Sequence, residues 1–178
     1  MVTRREFLDA LAVGAAGLAV GTTAKSYGQI LGSNDRLNFA VIGLNGRGYA
    51  HLSALKANRG AARISHVCDV DSTILGKFAD RVRRETGESP ATNKDFRAIL
   101  EQKDVDAITI ATPDHWHTPM ANAGLQAGKH VYVEKPCSHN PAEGEMLVQA
   151  QQKYQKLVQM GNQQRSSPHS IEIVEKIR

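Results

Sequence analysis

The apolar run HVYVE ends in a lysine held between a glutamate and a proline, Glu134, Lys135 and Pro136. Alone, a strand-end lysine is a surface residue whose stem lies on apolar surface while its charge stays in water. It acquires chemistry if the amine faces a reacting hydroxyl. Removing hydride from an alcohol carbon requires the hydroxyl proton to leave as well, and a lysine drawn down toward ~7–8 by burial and neighbours serves as general base. Pro136 removes a ladder donor, ends the strand and restricts Lys135 to extended conformations, which aims the amine. Side chains alternate across a strand, so Glu134 is expected to point away from Lys135 and to serve packing or cofactor contacts, not an ion pair.

A second group has the makings of a phosphate cradle. In GLNGRG the residues Gly43, Asn45, Gly46, Arg47 and Gly48 lie between an apolar run and a helical pattern. That arrangement presents backbone N–H groups and a helix N-terminus to a pyrophosphate. Asn45 stands where the G-x-G-x-x-G pattern has the glycine that lets phosphate approach the backbone. Asparagine tolerates a left-handed conformation better than most residues, and Gly46 adjoins it, so a shifted cradle is expected. Asp69 follows Gly48 by 21 residues, at the end of the next apolar run. A carboxylate about 20 residues on accepts the adenosine ribose hydroxyls and repels the extra phosphate of NADP. A glycine cluster alone is a tight turn, and Asp69 alone is a helix cap, a role Ser72 can also fill. In register, the strand, turn, helix, strand and acid read as a dinucleotide site with NAD preferred over NADP.

The third group is ATPDHWHTP, residues 111 to 119. Asp114, His115 and His117 are metal-ligand types, yet Asp114 or Thr118 can cap a helix and no further histidine or cysteine cluster lies nearby. No metal is expected.

These groups need a frame that brings them together. From Leu37 a short apolar run, a turn and a longer amphipathic segment recur. The runs cover residues 37–43, 62–69, 105–112, 130–134 and 157–161, with a weaker one at 90–92. Helical patterns cover 48–57, 72–86, 94–102, 119–127 and 142–155, and Pro168 opens a last one. Continuous apolar runs mean strands covered on both faces, so the predicted fold is a doubly wound α/β domain with a parallel sheet. In the order 3-2-1-4-5-6, the glycine turn, the 111–119 loop and Lys135 all lie at the carboxyl ends of strands, where such sheets bind ligands. Cys68 and Cys137 then stand three strand spacings apart, about 14 Å, too far for a disulfide, which needs Cα atoms within about 7 Å. Both are expected to be free thiols.

The chain has 178 residues, 41% hydrophobic and 22% charged, which suits one globular domain and excludes collagenous, disordered and polytopic membrane classes. The net charge of +4 (22 minus 18) is scattered, without a basic stripe or interleaved aromatics, so nucleic acid is not an expected partner. Residues 1–24 differ from the rest. Arg4 and Arg5 precede Phe7 and Leu8, a glycine- and alanine-rich apolar run extends from Ala10 to Val20, and small residues lead to Ala24. This is the layout of a secretory signal. TRREFL resembles the twin-arginine export signal, with Asp9 as a departure. The apolar run is far shorter than the ~20 residues of a membrane span. A periplasmic or otherwise exported location is expected, with residues 25–36 as a linker and 37–178 as the nucleotide-binding domain.

Together the motifs AVIGLNGRG, VCDVD, ATPDHWH and VYVEKP resemble, in order, the cofactor domain of the glucose-fructose oxidoreductase and inositol dehydrogenase family, known as Gfo/Idh/MocA. The resemblance implies a Rossmann fold and an NAD(P)-dependent oxidoreductase acting on a sugar, cyclitol or related polyol. It makes Lys135 the catalytic or substrate-orienting residue. It implies nucleotide-pocket roles for Thr112, Pro113 and His117, and a homo-oligomer in the full-length form. Asp114 departs from the asparagine many members carry. The family's second α/β domain is expected beyond Arg178, which makes this chain a cofactor-domain fragment without turnover of its own. Two other readings stay open: a glycoside-cleaving enzyme that uses bound NAD for transient oxidation, and a non-catalytic nucleotide-binding module.

Overall fold

The computed structural model describes residues 36–177, so the expected export signal, and the expected linker up to residue 35, lie outside the described residues. Six strands, β1 (Leu37–Ile42), β2 (Ala62–Cys68), β3 (Ala91–Asn93), β4 (Ala107–Ile110), β5 (His130–Glu134) and β6 (Val158–Gly161), form one parallel sheet. Their order is β3-β2-β1-β4-β5-β6. The fold is the expected doubly wound, Rossmann-like α/β layer structure. The chain reverses its direction of travel across the sheet between β1 and β4, which opens a crevice at the carboxyl ends of those two strands.

Helices α1 (Gly48–Ala57), α2 (Ser72–Thr86), α3 (Phe96–Leu100), α4 (His117–Gln126), α5 (Pro141–Tyr154) and α6 (Pro168–Ile177) alternate with the strands. Strand alternation makes two cores. Val41 joins Val67, Leu52, Phe78 and Val82 on one face, whereas Ala40 and Ile42 join Ile108, Ile110, Val133, Leu125 and Leu147 on the other. The continuous apolar runs of β1 and β2 are thus explained, since both strands feed both cores, whereas the clustered residues of β4 and β5 join only the second.

Helix α2 shows how sequence sets a boundary. Leu75, Phe78, Ala79 and Val82 form its buried stripe, the spacing of one helical face. Asp71 caps its start by accepting from the N–H groups of Thr73 and Ile74, and Gly87 ends it at φ 78°. Phe78 is fully buried, so Phe78→Ala removes about 3–5 kcal/mol of stability.

Two helices start elsewhere than periodicity suggests. Helix α3 begins at Phe96, not Lys94, because the Asp95 carboxylate accepts the Arg97 N–H at 3.0 Å and sets the cap there. Helix α4 begins at His117, after a single 3-10 turn at Asp114–Trp116. Pro119 falls in its first turn, where a backbone N–H would have no intrahelical acceptor. The weak strand expected at 90–92 is β3, one residue later. Cys68 is buried, Cys137 half-buried, and both are free thiols. Burial, with Asp69 beside it, pushes the Cys68 thiol up to about 12, so it behaves as a core residue. Among the described residues no helix is long and apolar enough to cross a membrane.

Candidate functional site

Two hollows at the carboxyl ends of the strands share Ala111 and Thr112 as walls. The first, about 510 Å³, is lined by the glycine turn, Asp69, Phe96, Pro113 and Trp116. The second, about 450 Å³, is lined by Arg47, Thr112, Asp114, His117, Glu134, Lys135 and Gln163. The sheet thus brings the three sequence groups into one continuous crevice.

The glycine turn is built on contact as well as conformation. Gly43 has φ +83°, and a Cβ there would stand 2.6 Å from the Ala111 carbonyl carbon. Only glycine lets β1 turn this close to the end of β4. The second left-handed residue is Gly46, at φ +50°, not Asn45. Asn45 contributes through its side chain, whose Oδ1 accepts the Gly46 N–H at 3.0 Å. Open space surrounds the place where a Gly46 Cβ would be, and α1 starts two residues later. The turn combines close backbone with open space at the start of α1; the N–H groups of Leu44, Gly46, Gly48 and Tyr49 already have acceptors, which leaves those of Asn45 and Arg47 for a pyrophosphate to take.

Asp69 lies at the rim of the first hollow and is already engaged. Its Oδ2 accepts the Leu44 N–H at 2.9 Å and its Oδ1 accepts the Asp71 N–H at 3.0 Å. A carboxylate oxygen can accept more than one bond, so ribose hydroxyls would add to these contacts. The outer wall is aromatic: Phe96 and Trp116 meet edge to face at 6.4 Å, and the Arg97 guanidinium sits 4.8 Å over the Phe96 ring. Neither aromatic residue stood out in the sequence.

His117 is not placed to offer nitrogen atoms to a nucleotide. It is 2% exposed, with Nδ1 against the Pro136 carbonyl at 2.6 Å and Nε2 against the Thr112 carbonyl at 2.8 Å. The next residue, Thr118, donates its hydroxyl to the Cys137 carbonyl at 2.9 Å. The start of α4 thereby grips both loops of the crevice. Thr112 and Pro113 do line it. Asp114 is exposed, and the His115 backbone N–H, with the nearby His139, holds its carboxyl below the usual range.

Lys135 projects from the end of β5 at the rim of the second hollow, exposed, and the Lys135–Pro136 peptide is cis. Glu134 is the buried member of the pair, 5% exposed. Its Oε1 takes three donors: Arg47 Nε at 2.7 Å, His51 Nε2 at 3.0 Å and Gln163 Nε2 at 2.9 Å. Burial pushes the Glu134 carboxyl upward, but the hydrogen bonds from His51 and Arg47 and their charges outweigh it, and the net shift is downward. For His51 burial dominates and lowers its pKa despite Glu134. A neutral ring donating through Nε2 leaves Nδ1 buried without a partner among the described residues.

His51 and Gln163 were not among the sequence candidates. Gln163 belongs to GNQQR, a segment with no role assigned from sequence, and the signal lies in register. Gly161 pairs with Glu134 across β5 and β6. A Cβ at Gly161 would stand 2.9 Å from Tyr132 Oη and 3.1 Å from Glu134 Cδ, so glycine is what admits the clasp.

Comparison with known proteins places this geometry. The family described as "Oxidoreductase family, NAD-binding Rossmann fold" matches residues 37–162. A curated relative from Shewanella sp. (strain ANA-3), glycosyl hydrolase family 109 protein 2, is 33% identical over 152 residues, covering 75% of this chain and 33% of its own. The WlbA dehydrogenase from Chromobacterium violaceum, solved with NADH and UDP-GlcNAcA, superposes with a TM-score of 0.68 at 27% identity, over 75% of this chain and 37% of that one. KijD10, a 3-ketoreductase from Actinomadura kijaniata solved with NADP and TDP-benzene, shares the fold, with a TM-score of 0.72 at 22% identity over 80% and 42% of the two chains. The chain spans about a third of the length of the curated relatives it matches.

Proposed function

The chain belongs to the oxidoreductase family with the NAD-binding Rossmann fold, and on that premise we propose that its crevice binds NAD and serves the oxidation of a hydroxyl-bearing carbon on a sugar, cyclitol or related polyol. One observation carries the reading: Asp69, the glycine turn and Lys135 line a single crevice whose two hollows join at Ala111 and Thr112. Bound NAD supplies the hydride acceptor. Asp69 holds the adenosine ribose, the glycine turn holds the pyrophosphate, and the Lys135 amine takes the hydroxyl proton as the carbonyl forms. The acidic ribose site favours NAD over NADP. The dehydrogenase in complex with NADH and UDP-GlcNAcA supports a sugar-like substrate.

A second reading is favoured by the glycosyl hydrolase family 109 relatives. In it the same oxidation is transient, the hydride returns, and a glycosidic bond is cleaved with no net redox change. Both readings give Lys135 the same first task. In a longer form that turns over, Lys135→Met keeps the stem's volume and deletes the amine. Nucleotide affinity is expected to change little, and turnover to fall at least ~10²-fold. Turnover within a few-fold of the parent across pH would remove Lys135 from the mechanism. Accumulation of NADH with substrate consumed marks a dehydrogenase, and glycoside cleavage without it marks the hydrolase.

A further inference from the structure

His51 stands one turn along α1 from Arg47, and both donate to the same atom, Glu134 Oε1, from Nε2 at 3.0 Å and from Nε at 2.7 Å. Arg47 lines the second hollow, beside the glycine turn. It also lines, with His51, Thr109 and Tyr132, a separate hollow of about 420 Å³. The His51 ring is 6% exposed and meets the Tyr132 ring edge-on at 5.4 Å. Two charged groups act on it: Glu134, from β5, favours a further ring proton, and Arg47, from α1, opposes one. His51 and Thr109 each carry a buried polar atom without a partner among the described residues, Nδ1 and Oγ1. A further proton turns Nδ1 from acceptor to donor, and a threonine hydroxyl can accept. The hollow thus offers a charged ring an acceptor that no other described group claims.

We propose that a pyrophosphate arriving at the glycine turn draws the Arg47 guanidinium toward itself, and that His51 takes up a proton from solvent in exchange, so that Glu134 keeps a positive charge against it. The inference rests on the reading that the crevice binds NAD. Arg47 belongs to the turn, and its two terminal nitrogens meet no acceptor among the described residues, so the guanidinium has donors to spend on phosphate. As its charge leaves Glu134, opposition to the His51 proton falls, and the incoming negative charge acts in the same direction. The charges balance. Before binding, Arg47 neutralises Glu134 and the imidazole is neutral; afterwards the phosphates hold Arg47 and the imidazolium neutralises Glu134. Binding raises the affinity of His51 for its proton, and by linkage the proton raises the affinity for nucleotide. His51 is a positioning residue here: it acts through Glu134 and touches neither nucleotide nor substrate.

The test is calorimetry on this chain with NAD and with ADP-ribose, whose pyrophosphate diester keeps its charge across the range used, in buffers of different ionisation enthalpy. The parent is expected to take up about half a proton per nucleotide near pH 6, and to bind about threefold or more tightly at pH 5.5 than at pH 7.5. NMR of the His51 ring C–H is expected to show a higher titration midpoint with ADP-ribose bound than without. Arg47→Met, which removes the guanidinium, is expected to raise that midpoint in the free chain. His51→Gln keeps an N–H toward Glu134 and cannot titrate, so the uptake is expected to vanish. Binding by the parent without proton uptake overturns the proposal, and that measurement needs no variant to fold. Uptake retained in a folded His51→Gln variant overturns it equally, because another group would then be its source. A parent that binds neither NAD nor ADP-ribose overturns the NAD reading and the proposal with it, an outcome distinct from the other two.

Discussion

Asp69 Oδ2 accepts the backbone N–H of Leu44 at 2.9 Å, tying the end of β2 to the glycine turn. On the proposed NAD reading, the residue at the ribose end of the cofactor also shapes the turn at its phosphates, so changes at Asp69 are expected to act on both.

Asp69→Ser is expected to weaken NAD binding, to narrow the gap between NAD and NADP, and to lower stability by about 1–3 kcal/mol through the unpaired Leu44 and Asp71 N–H groups. Calorimetry with both nucleotides and urea unfolding measure the two effects. NADP binding as tight as NAD binding in the parent would refute the ribose assignment.

His117→Phe keeps a buried, slightly larger ring and removes both contacts to carbonyl oxygens. Stability is expected to fall by about 2–4 kcal/mol, with faster amide exchange around residues 135–137. A variant with the parent's urea midpoint would mean that Thr118 and the backbone hold these loops without the ring.

Acid is expected to destabilise the chain in two windows. His51 has a folded pKa below its unfolded value near 6.5, so the unfolded state binds the extra proton first, and stability that is full above 6.5 is lost as pH falls from there through the folded pKa. Glu134 is also depressed when folded; its contribution is full above the unfolded value of about 4.3 and is lost as pH falls through its folded pKa. His51→Gln retains an N–H for Glu134 and removes the upper window. Unfolding free energies between pH 7 and 5 test this, and an unchanged slope in the variant would exclude His51 as the source.

Export through the twin-arginine route is proposed from TRREFL and the short glycine-containing apolar run. Replacing Arg4 and Arg5 together with lysine is expected to retain the protein in the cytoplasm, as followed by cell fractionation. Undiminished export of that variant would reject the route.

The sheet order and most element boundaries were legible because the determinants are local. Asp71 and Gly87 bracket α2, and buried strands declare themselves as unbroken apolar runs. The glycine turn, Asp69 and the Lys135 strand end were legible for the same reason, each being a short motif at a strand end. The left-handed conformation expected of Asn45 falls instead to Gly46, which carries no steric cost there. The Glu134 clasp was not legible, because its donors come from positions 47, 51 and 163 and meet only once the sheet has set β1, β5 and β6 in place. His117 does line the second hollow, but the partners of its two ring nitrogens, the carbonyls of Thr112 and Pro136, were not legible together because Pro136 lies beyond the next strand.

The tight seat of Gly161 has a consequence for how this sequence can drift. With Glu134 Cδ, Tyr132 Oη and Gln163 Nε2 all within 3.1 Å of the place a Cβ would take, position 161 cannot gain a side chain unless one of the other three gives way. Among homologues, residues 132, 134, 161 and 163 are expected to covary as a block. A relative that carries alanine at 161 would have a shortened or displaced acid at 134, and with it a different grip on Arg47 at the glycine turn.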